Sequence, residues 1–558
     1  MANSFFKKII AAIAASVVFV PVTGTLPKAV ASPAAPDEYH DDWLHVNENA
    51  EIVDMYGNPV WLTGCNWFGY NVTTQCFDGV WSRNMHEMLN EMADHGFNLL
   101  RVPMSTQILL QWKNNEPDPY MVKINEWKNP ELTVEGVQGG KPKYSFDIWN
   151  QAVAWCRENG IKIMMDIHCA TTASNGHQMP LWYDSNYSTD DWLEALSWFA
   201  EYYKDDDTVI AIDLKNEPHG KNDGQGMAIW DDSTAINNWK YAAERGAAAC
   251  LEQNPNLLIM VEGIEVYPKF EEGHDWNSPA VDYANYDNPP FHGAWWGGNF
   301  RGVRDYPIDL GEYQSQLVYS PHDYGPLVWE QEWFKKDFTR ETLLEDYWYD
   351  TWAFLIEEKI SPLLMGEWGG FLDEEHDSTG DNRKWMTLLR DYMIEKRIHH
   401  TFWCFNENSG DTGGLLTNDF QDWDTEKYEF VEVSLWQDDN GKYIGLDHKI
   451  PLGQSGNGIS LSEYYSGSPS TNPTTPTVTT DPTTDDNDVV YGDANCDDEV
   501  NMADAVLIMQ SLANPDKYTL TDEGSANADC SGDKDGITNK DALAIQKYKL
   551  GLLQALPE

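Results

Sequence analysis

Eight short apolar segments recur between residues 59 and 406, and their alternation with helical patterns constrains the fold of this 558-residue chain most strongly. Their composition is typical of strands that are buried on both faces. The segments are 60–66, 98–104, 162–168, 209–217, 258–263, 317–324, 363–368 and 401–406. Between several of them apolar residues have helical spacing, as with Met85, Met88, Leu89 and Met92. The pattern predicts an α/β fold, a (β/α)8 TIM barrel whose active site lies at the carboxyl ends of the strands.

The fourth segment is followed by a carboxylate. Residues 209–218 read VIAIDLKNEP, in which an apolar run leads into Asn216 and Glu217. Pro218 has no backbone N–H to donate, so the strand cannot continue past it. The sequence therefore predicts that Glu217 is presented at the carboxyl end of a strand.

The seventh segment has the same organisation. Residues 361–370 read SPLLMGEWGG, a short apolar run that ends at Glu367. Because the carboxyl ends of barrel strands meet at one face, Glu217 and Glu367 are expected to share a pocket. Retaining glycosidases need such a pair: one carboxyl group protonates the leaving oxygen, and the other, about 5 Å away, attacks the anomeric carbon.

Other predicted strand ends carry polar or aromatic residues that a buried core would avoid. They are Arg101, His168, His322, Tyr324 and Trp403. Each alone is equally compatible with a structural role, as a salt-bridged arginine, a hydrogen-bonded core histidine or a packed tryptophan. Together they could keep one carboxylate ionised, donate a proton at the other, and form an aromatic floor under a sugar ring.

The net charge bears on the choice of partner. The chain has 91 acidic and 37 basic residues, a formal net charge of −54, which makes nucleic acid an unfavourable partner. With 25 Trp and 27 Tyr it is too aromatic for a disordered acidic protein. This combination suits an enzyme with a neutral substrate that stacks on aromatic rings, although general solubility explains the charge equally well.

The first 31 residues have the organisation of a signal peptide. Lys7 and Lys8 precede an apolar run, and Ala31 ends a small-residue cleavage site. The run is too short to span a bilayer, and no later segment is longer, so we expect a secreted, extracellular protein without a membrane span. Its cysteines could then form disulfides, and Cys76 and Cys169 are candidates that could pair or remain free.

The composition changes after about residue 465. The expected domains are residues 1–31 as signal peptide, 40–465 as catalytic barrel, 466–488 as a linker rich in Pro and Thr, and 489–556 as a small module. That module contains an internal repeat of an acidic loop followed by a helix. Two such loops with matching helices are less readily explained as solvated turns than one would be.

The two loops resemble calcium-binding loops, which supply hard oxygen ligands at alternating positions. The predicted metal ligands are Asp493, Asn495, Asp497, Glu499 (through its backbone carbonyl), Asn501 and Asp504 in the first loop, and Asp529, Ser531, Asp533 and Asp541 in the second. The second loop is one residue longer than the first. The sequence thus predicts calcium in this module and no cofactor for catalysis.

The barrel segment resembles glycoside hydrolase family 5, from about residue 42 to residue 449. The resemblance implies that Glu217 in Asn-Glu-Pro is the acid/base and Glu367 in GEWG the nucleophile. The family's remaining active-site positions fall on Arg101, His168, Asn216, His322, Tyr324 and Trp403. The stretches GCNWFGYN, WWGGN and NSGDTGG are most similar to bacterial endoglucanases of the family. They imply a retaining endo-β-1,4-glucanase, a cellulase acting on cellulose or β-glucan.

Residues 489–556 resemble a dockerin, and the stretch ITNKDALAIQ is similar to dockerins of ruminococcal cellulosomal enzymes. The resemblance implies a small all-α calcium-binding dockerin module that anchors the enzyme to a cellulosome through the cohesin domain of a scaffoldin. Two alternatives stay open for the whole chain. One is another retaining β-glycanase of the same fold, a mannanase or xyloglucanase; the other is a non-catalytic carbohydrate-binding scaffold component, for which the two glutamates would be unnecessary.

Overall fold

The computed structural model describes residues 42–222, 224, 226–279, 288–466, 491–496, 500, 502–513, 518–531, 536–549, 553 and 555–556. The chain divides into two units, one up to Pro469 and one from Ser470. The predicted signal peptide, residues 1–31, lies outside the described residues, as does the predicted linker after Ser466.

The first unit is built on one sheet of eight strands. They are β1 Thr63–Asn66, β2 Leu99–Ser105, β3 Lys162–Cys169, β4 Val209–Asp213, β5 Leu258–Val261, β6 Leu317–Tyr319, β7 Leu364–Met365 and β8 His399–Phe402. Their order is β6-β5-β4-β3-β2-β1-β8-β7, and all neighbours are parallel. Parallel bridges Tyr319–Leu363 and His322–Glu367 join the two edge strands and nearly close the sheet. The predicted (β/α)8 barrel is confirmed.

Most helices lie between successive strands along the chain, two follow β8, and the core lies between the sheet and the helices. They are α1 Met85–Asp94, α2 Thr106–Asn114, α3 Ser145–Glu158, α4 Thr189–Tyr202, α5 Trp239–Leu251, α6 Arg340–Leu343, α7 Phe354–Glu357, α8 Asp381–Lys396, α9 Thr425–Glu432 and α10 Leu461–Ser466. A π-helix, Leu344–Ala353, joins α6 to α7. The predicted methionine stripe of α1 is buried in the core. Among the described residues, no helix has the length and apolar character needed to cross a membrane.

Short two-stranded sheets cover the rest of the barrel. The pairs are His45–Val46 with Ile52–Val53, Val266–Pro268 with Phe291–Gly293, Leu416–Thr417 with Asp422–Trp423, and Tyr443–Ile444 with Gly458–Ile459.

All eight cysteines are free. Cys76 Sγ donates to the carbonyl of Lys123 and Cys169 Sγ to that of Asn71, so the candidate disulfide does not form.

Most strand ends differ from the sequence prediction, those of β4, β6 and β8 by the most. β4 ends at Asp213 and not at Glu217, and β6 ends at Tyr319, before His322. β8 starts earlier than predicted, at His399, and ends at Phe402. The physical reason is that the chain leaves the ladder to turn over the barrel mouth, where the polar residues of the site begin.

A cluster of ion pairs lies at the amino-terminal end of the barrel strands, opposite the predicted site. Lys162 begins β3, and its Nζ lies 2.5 Å from Asp42 Oδ2 and 3.2 Å from Asp447 Oδ2. His448 contacts Asp42 through Nδ1 at 2.7 Å and Asp54 through Nε2 at 3.1 Å. Although burial opposes its charged form, the hydrogen bonds to these two carboxylates raise the pKa of His448 to about 9. The protonated ring therefore ties the first described residues to the last part of the barrel unit.

This arrangement predicts a loss of stability in alkaline solution. A histidine whose pKa is raised by folding stabilises the fold fully below its unfolded value of 6.5, and that contribution disappears as the pH rises through about 9. Thermal unfolding from pH 6 to pH 10 should show a steeper fall for the wild type than for His448→Gln. His376→Gln is the matched control, because His376 is exposed and its ring nitrogen lies 2.8 Å from a carboxylate oxygen of the neighbouring Asp373. Parallel curves for the wild type and His448→Gln would contradict the assignment.

The second unit contains three described helices, α11 Met502–Ala513, α12 Asp522–Ala528 and α13 Asn539–Lys549. Ala505 and Ile508 of α11 are buried together with Ala542 and Ile545 of α13 in a small core. Four of the predicted calcium ligands, Asp497, Glu499, Asn501 and Asp533, lie outside the described residues.

Candidate active site

A buried arginine organises the carboxyl end of the barrel. Arg101, on β2, is fully buried and donates from Nη1 to Glu367 Oε1 at 2.8 Å and to Asn66 Oδ1 at 3.0 Å. Its Nε and Nη2 donate to Asp213 Oδ2 at 3.1 and 2.9 Å. Nη2 also donates to Asn216 Oδ1 at 3.1 Å. One guanidinium, from within β2, thus connects the ends of β1, β4 and β7.

Glu367 follows β7 and is held at both oxygens. Oε1 accepts from Arg101, and Oε2 accepts from the Tyr324 hydroxyl at 2.6 Å. Burial raises the pKa of Glu367 to about 7, while the charge of Arg101 and the hydrogen bond from Tyr324 act in the opposite direction. The preceding residue has to be small, because a Cβ on Gly366 would lie 2.8 Å from His322 Nε2. Glu367 is therefore fixed in orientation, with two donors that favour its anion.

Glu217 lies beyond the end of β4 and is more accessible, with 12% of its side chain exposed. Its backbone has φ +50°, in the left-handed region. Oε1 is 3.0 Å from His322 Nδ1. Burial, and then the nearby charge of Glu367, raises the pKa of Glu217 well above its usual range. Of the two glutamates, Glu217 is consequently the one that retains a proton.

The two carboxyl groups face each other. An oxygen of Glu217, an oxygen of Glu367 and a ring nitrogen of His322 all lie within 4.8 Å of one another. The pair is therefore close enough for one glycosidic bond to contact both groups, through its carbon and its oxygen, and its members differ in protonation. Such a difference between neighbouring carboxyl groups is how enzymes divide acid and nucleophile roles.

Asn216 is oriented by the same arginine. Its Oδ1 accepts from Arg101, while its Nδ2 is buried and has no hydrogen-bond partner in the described part of the chain. A buried amide donor without a partner is costly in a folded protein. It is explained if the partner is a substrate hydroxyl.

Both predicted site histidines are buried, and burial lowers their pKa values well below the usual range. His168 Nδ1 is 2.7 Å from Asp166 Oδ2, and its ring lies parallel to the Trp403 ring at 5.8 Å between centroids. Trp403 is partly exposed and also stacks on Phe68 at 5.7 Å. The neutral rings can therefore position hydroxyl groups and neighbouring side chains without carrying charge.

The structure brings all eight predicted barrel-site residues to one mouth of the barrel. Arg101 joins Glu367 and Asn216 directly, Tyr324 and His322 contact the two glutamates, and His168 stacks on Trp403. Sequence reasoning missed several of their partners: Asn66, Asp166, Asp213, Lys215 and Glu262. The usable signal was an acidic residue inside an otherwise apolar segment, as in MMDIH, VIAID and LIMVEG.

Those acids make the floor of the site rich in carboxyl groups. Burial raises the pKa of Asp166 and of Asp213 to about 6 despite the charge of Arg101. Burial and the charge of Asp213 raise the pKa of Glu262 well above its usual range. Lys215 is also fully buried, and its Nζ donates to the Asn216 carbonyl. Arg101 and Lys215 thus offset only part of the negative charge, and burial favours protonation of the remaining carboxyl groups.

An aromatic ring borders the Glu217 side of the mouth. The partly exposed Trp296 stacks on His219 with 3.7 Å between centroids and 4° between planes. Nδ1 of His219 is 2.6 Å from the Glu217 carbonyl. Together with Trp403 near His168, this ring gives the mouth aromatic surfaces on two sides, which suit sugar rings.

The second unit has matching groups at its two predicted loops. Asp504 and Asp541 lie in the first turns of α11 and α13, and both are buried. Asp504 Oδ1 accepts the Asn495 N–H at 3.1 Å, and Asp541 Oδ1 accepts the Ser531 N–H at 2.7 Å. The corresponding bonds support the alignment of the two loops.

The second loop also has a buried oxygen atom, Asp529 Oδ1, that makes no hydrogen bond among the described residues. Carboxylate and hydroxyl oxygens are the ligands that calcium prefers, so the described residues fit the metal.

Comparison with known proteins shows the same barrel. The family model described as Cellulase (glycosyl hydrolase family 5) matches residues 53–409. Endoglucanase G of Acetivibrio thermocellus is 50% identical over 504 residues, covering 87% of each chain. Endoglucanase B of the same organism is 42% identical over 518 residues, covering 88% of this chain and 89% of that one. The solved complex of a Pyrococcus horikoshii endocellulase with cellotetraose is 30% identical with a TM-score of 0.59, covering 71% of this chain and 98% of that chain.

Proposed function

Since the chain belongs to glycoside hydrolase family 5 and is an endoglucanase of that family, we propose that it hydrolyses β-1,4-glucan with retention of configuration. The observation that carries the proposal is the unequal pair of glutamates. Glu367 is bonded by Arg101 and Tyr324, and an oxygen of it lies within 4.8 Å of one of Glu217. Retaining enzymes separate their carboxyl groups by about 5 Å, whereas inverting enzymes leave room for a water molecule between them. The cellotetraose bound by the solved P. horikoshii relative supports the substrate class.

In the first step, protonated Glu217 gives its proton to the glycosidic oxygen. A carboxylate oxygen of Glu367 bonds to the anomeric carbon while the bond from that carbon to the leaving oxygen breaks. The product is a glycosyl ester on Glu367, and the leaving chain departs as an alcohol. Arg101 and Tyr324 favour the anionic nucleophile, and the free Nδ2 of Asn216 bonds the 2-hydroxyl, a contact that strengthens in the transition state.

In the second step, Glu217 is ionised and takes a proton from water. The oxygen of that water bonds to the anomeric carbon and releases Glu367 as a carboxylate. Two displacements on opposite faces restore the β configuration. Trp403 offers a ring on which a sugar can stack, and His168, neutral and held by Asp166, positions hydroxyl groups.

The substrate class is tested by measuring reducing-sugar release from carboxymethylcellulose, glucomannan, xyloglucan and xylan with one purified sample. The proposal predicts the highest kcat/KM on carboxymethylcellulose. Preference for glucomannan or xyloglucan would favour the mannanase or xyloglucanase alternative, and binding without hydrolysis would favour the scaffold component.

For the second unit, we propose a dockerin that binds calcium and docks on a cohesin. Asp493, Asn495, Asp504, Asp529, Ser531 and Asp541 are the described residues that would hold the metal. Bound calcium would neutralise their charges and order the loops. An apolar groove of about 350 Å³ between α11 and α13 supports the docking role. Exposed Val506 and Met509 of α11 line that groove, and Leu512 of α11 and Leu543 of α13 are also exposed.

The remaining organisation is part of the same proposal. Residues 1–31 would direct export, 40–465 hydrolyse glucan, and 466–488 link the barrel to the module at 489–556. A secreted, extracellular enzyme attached to a cellulosome would then keep its barrel near the polysaccharide. The large negative charge suits such a neutral substrate.

Chelation should separate the two activities. A cohesin pull-down should fail with excess chelator, because the small core of the second unit cannot offset repulsion between loop carboxylates. Hydrolysis of carboxymethylcellulose in the same tubes should stay nearly constant. Asp504→Ala should weaken calcium binding, whereas Gln510→Ala, on the groove and away from the loops, should leave it unchanged. Docking that persists in chelator would contradict the calcium requirement.

A further inference from the structure

Glu262 is a buried carboxyl group that the mechanism above leaves without a role. It directly follows β5 and is fully buried. Its carbonyl accepts from Trp239 Nε1 at 2.8 Å. Gly297, at φ +71°, covers it so closely that a Cβ there would lie 2.1 Å from Glu262 Oε2. The loop at Gly297 therefore seals Glu262 from the cleft, and substrate cannot touch it.

Both carboxyl oxygens of Glu262 connect to Glu217, one directly and the other through His322. Oε2 accepts the backbone N–H of Glu217 at 2.7 Å. Oε1 is 3.2 Å from His322 Nε2, out of line for a good hydrogen bond, and His322 Nδ1 is 3.0 Å from Glu217 Oε1. Glu262 therefore contacts the backbone of Glu217 directly and its carboxyl group through His322. Oε1 also lies 3.3 Å from Arg101 Nη2, which links Glu262 to the nucleophile's partner.

The backbone of Glu217 needs such support. Its φ of +50° is uncommon for a residue with a side chain, and it directs the carboxyl group into the cleft. The hydrogen bond to Glu262 holds the N–H in the direction which that conformation requires. The imidazole of His322 lies between Glu262 and Glu217 and fixes the rotation of the Glu217 carboxyl group.

We propose that Glu262 is a positioning residue for proton transfer: it holds Glu217 through its N–H and through His322, so that the Glu217 carboxyl points at the leaving oxygen. The inference rests on the proposed acid role of Glu217. It makes Glu262 important for substrates whose leaving group needs protonation and much less important for those whose leaving group does not.

The test compares two substrates. Cellotetraose releases a poor leaving group and needs the acid, while 2,4-dinitrophenyl β-cellobioside releases a good one and does not. Glu262→Leu should lower kcat on cellotetraose by about a hundredfold, the lower end of what a general acid contributes, and on the aryl cellobioside by less than about tenfold. Glu262→Gln can still accept the Glu217 N–H, so it should recover about a tenth of wild-type kcat on cellotetraose.

Asp166→Asn is the matched control. Asp166 is equally buried and lies 3.3 Å from Arg101 Nη2, but its other contact is His168. Its loss should lower kcat on both substrates by similar factors. Equal losses on both substrates for Glu262→Gln, or no loss on either, would overturn the inference, and this variant retains the shape needed to fold if Glu262→Leu does not. If the wild type hydrolysed neither substrate, the proposed function would fail instead.

Discussion

Replacing Glu367 by Gln should lower kcat on carboxymethylcellulose by at least about three orders of magnitude while KM changes little. The amide has the shape of the carboxylate but cannot form the glycosyl ester. The amide oxygen can still accept from Arg101, and the amide N–H can donate to the Tyr324 hydroxyl oxygen, so the substrate-binding surface should persist. Steady-state kinetics, with cellotetraose binding measured by calorimetry, separate the loss of chemistry from a loss of affinity.

The control for this variant is Glu358→Gln, a glutamate on the surface whose partner is Arg304 at 2.8 Å. It should keep wild-type kcat. A tenth of normal turnover in Glu367→Gln would show that another group is the nucleophile.

The effect of Glu217→Ala, unlike that of Glu367→Gln, should depend on the leaving group of the substrate. Hydrolysis of cellotetraose should fall by about two to four orders of magnitude, because the leaving chain is no longer protonated. An aryl cellobioside with an activated leaving group should still glycosylate Glu367, and the ester should then accumulate because no base activates water. Stopped-flow absorbance should show a burst of phenolate followed by a slow steady state.

Azide should restore turnover of Glu217→Ala, because it can replace water as the nucleophile that attacks the ester on Glu367. It needs no base, and the space left by the Glu217 side chain lets it approach the ester, so turnover should rise with azide concentration and yield a β-glycosyl azide. The absence of both burst and rescue would show that Glu217 is not the acid/base.

The barrel and the two glutamates were predictable because both depend on local signals. Buried parallel strands read as apolar runs, and Asn216-Glu217-Pro218 marks where such a run is over, although the strand itself ends earlier, at Asp213. The ends of β4 and β6 were not predictable, since the chain leaves the ladder where it turns over the mouth. Glu217 consequently lies after the strand, with its backbone in the left-handed region.

The partners of Arg101 were out of reach for a different reason. Asp213 and Glu262 come from β4 and β5, and their contacts with Arg101 depend on the register between neighbouring strands. Periodicity predicts which residues are buried, but not which of them are paired across a sheet. An acid within an apolar run, as in LIMVEG, indicates only that some cation or proton must accompany it.

The central claim is that Glu367 and Glu217 act as nucleophile and acid/base of a retaining glucanase. It is tested most directly by proton NMR of cellotetraose hydrolysis, recorded within the first minutes, before the new reducing end mutarotates. The account predicts that the β-anomer of the new reducing end appears first and that the α-anomer grows only later. Initial formation of the α-anomer would mean a single displacement by water, and would contradict a covalent intermediate on Glu367.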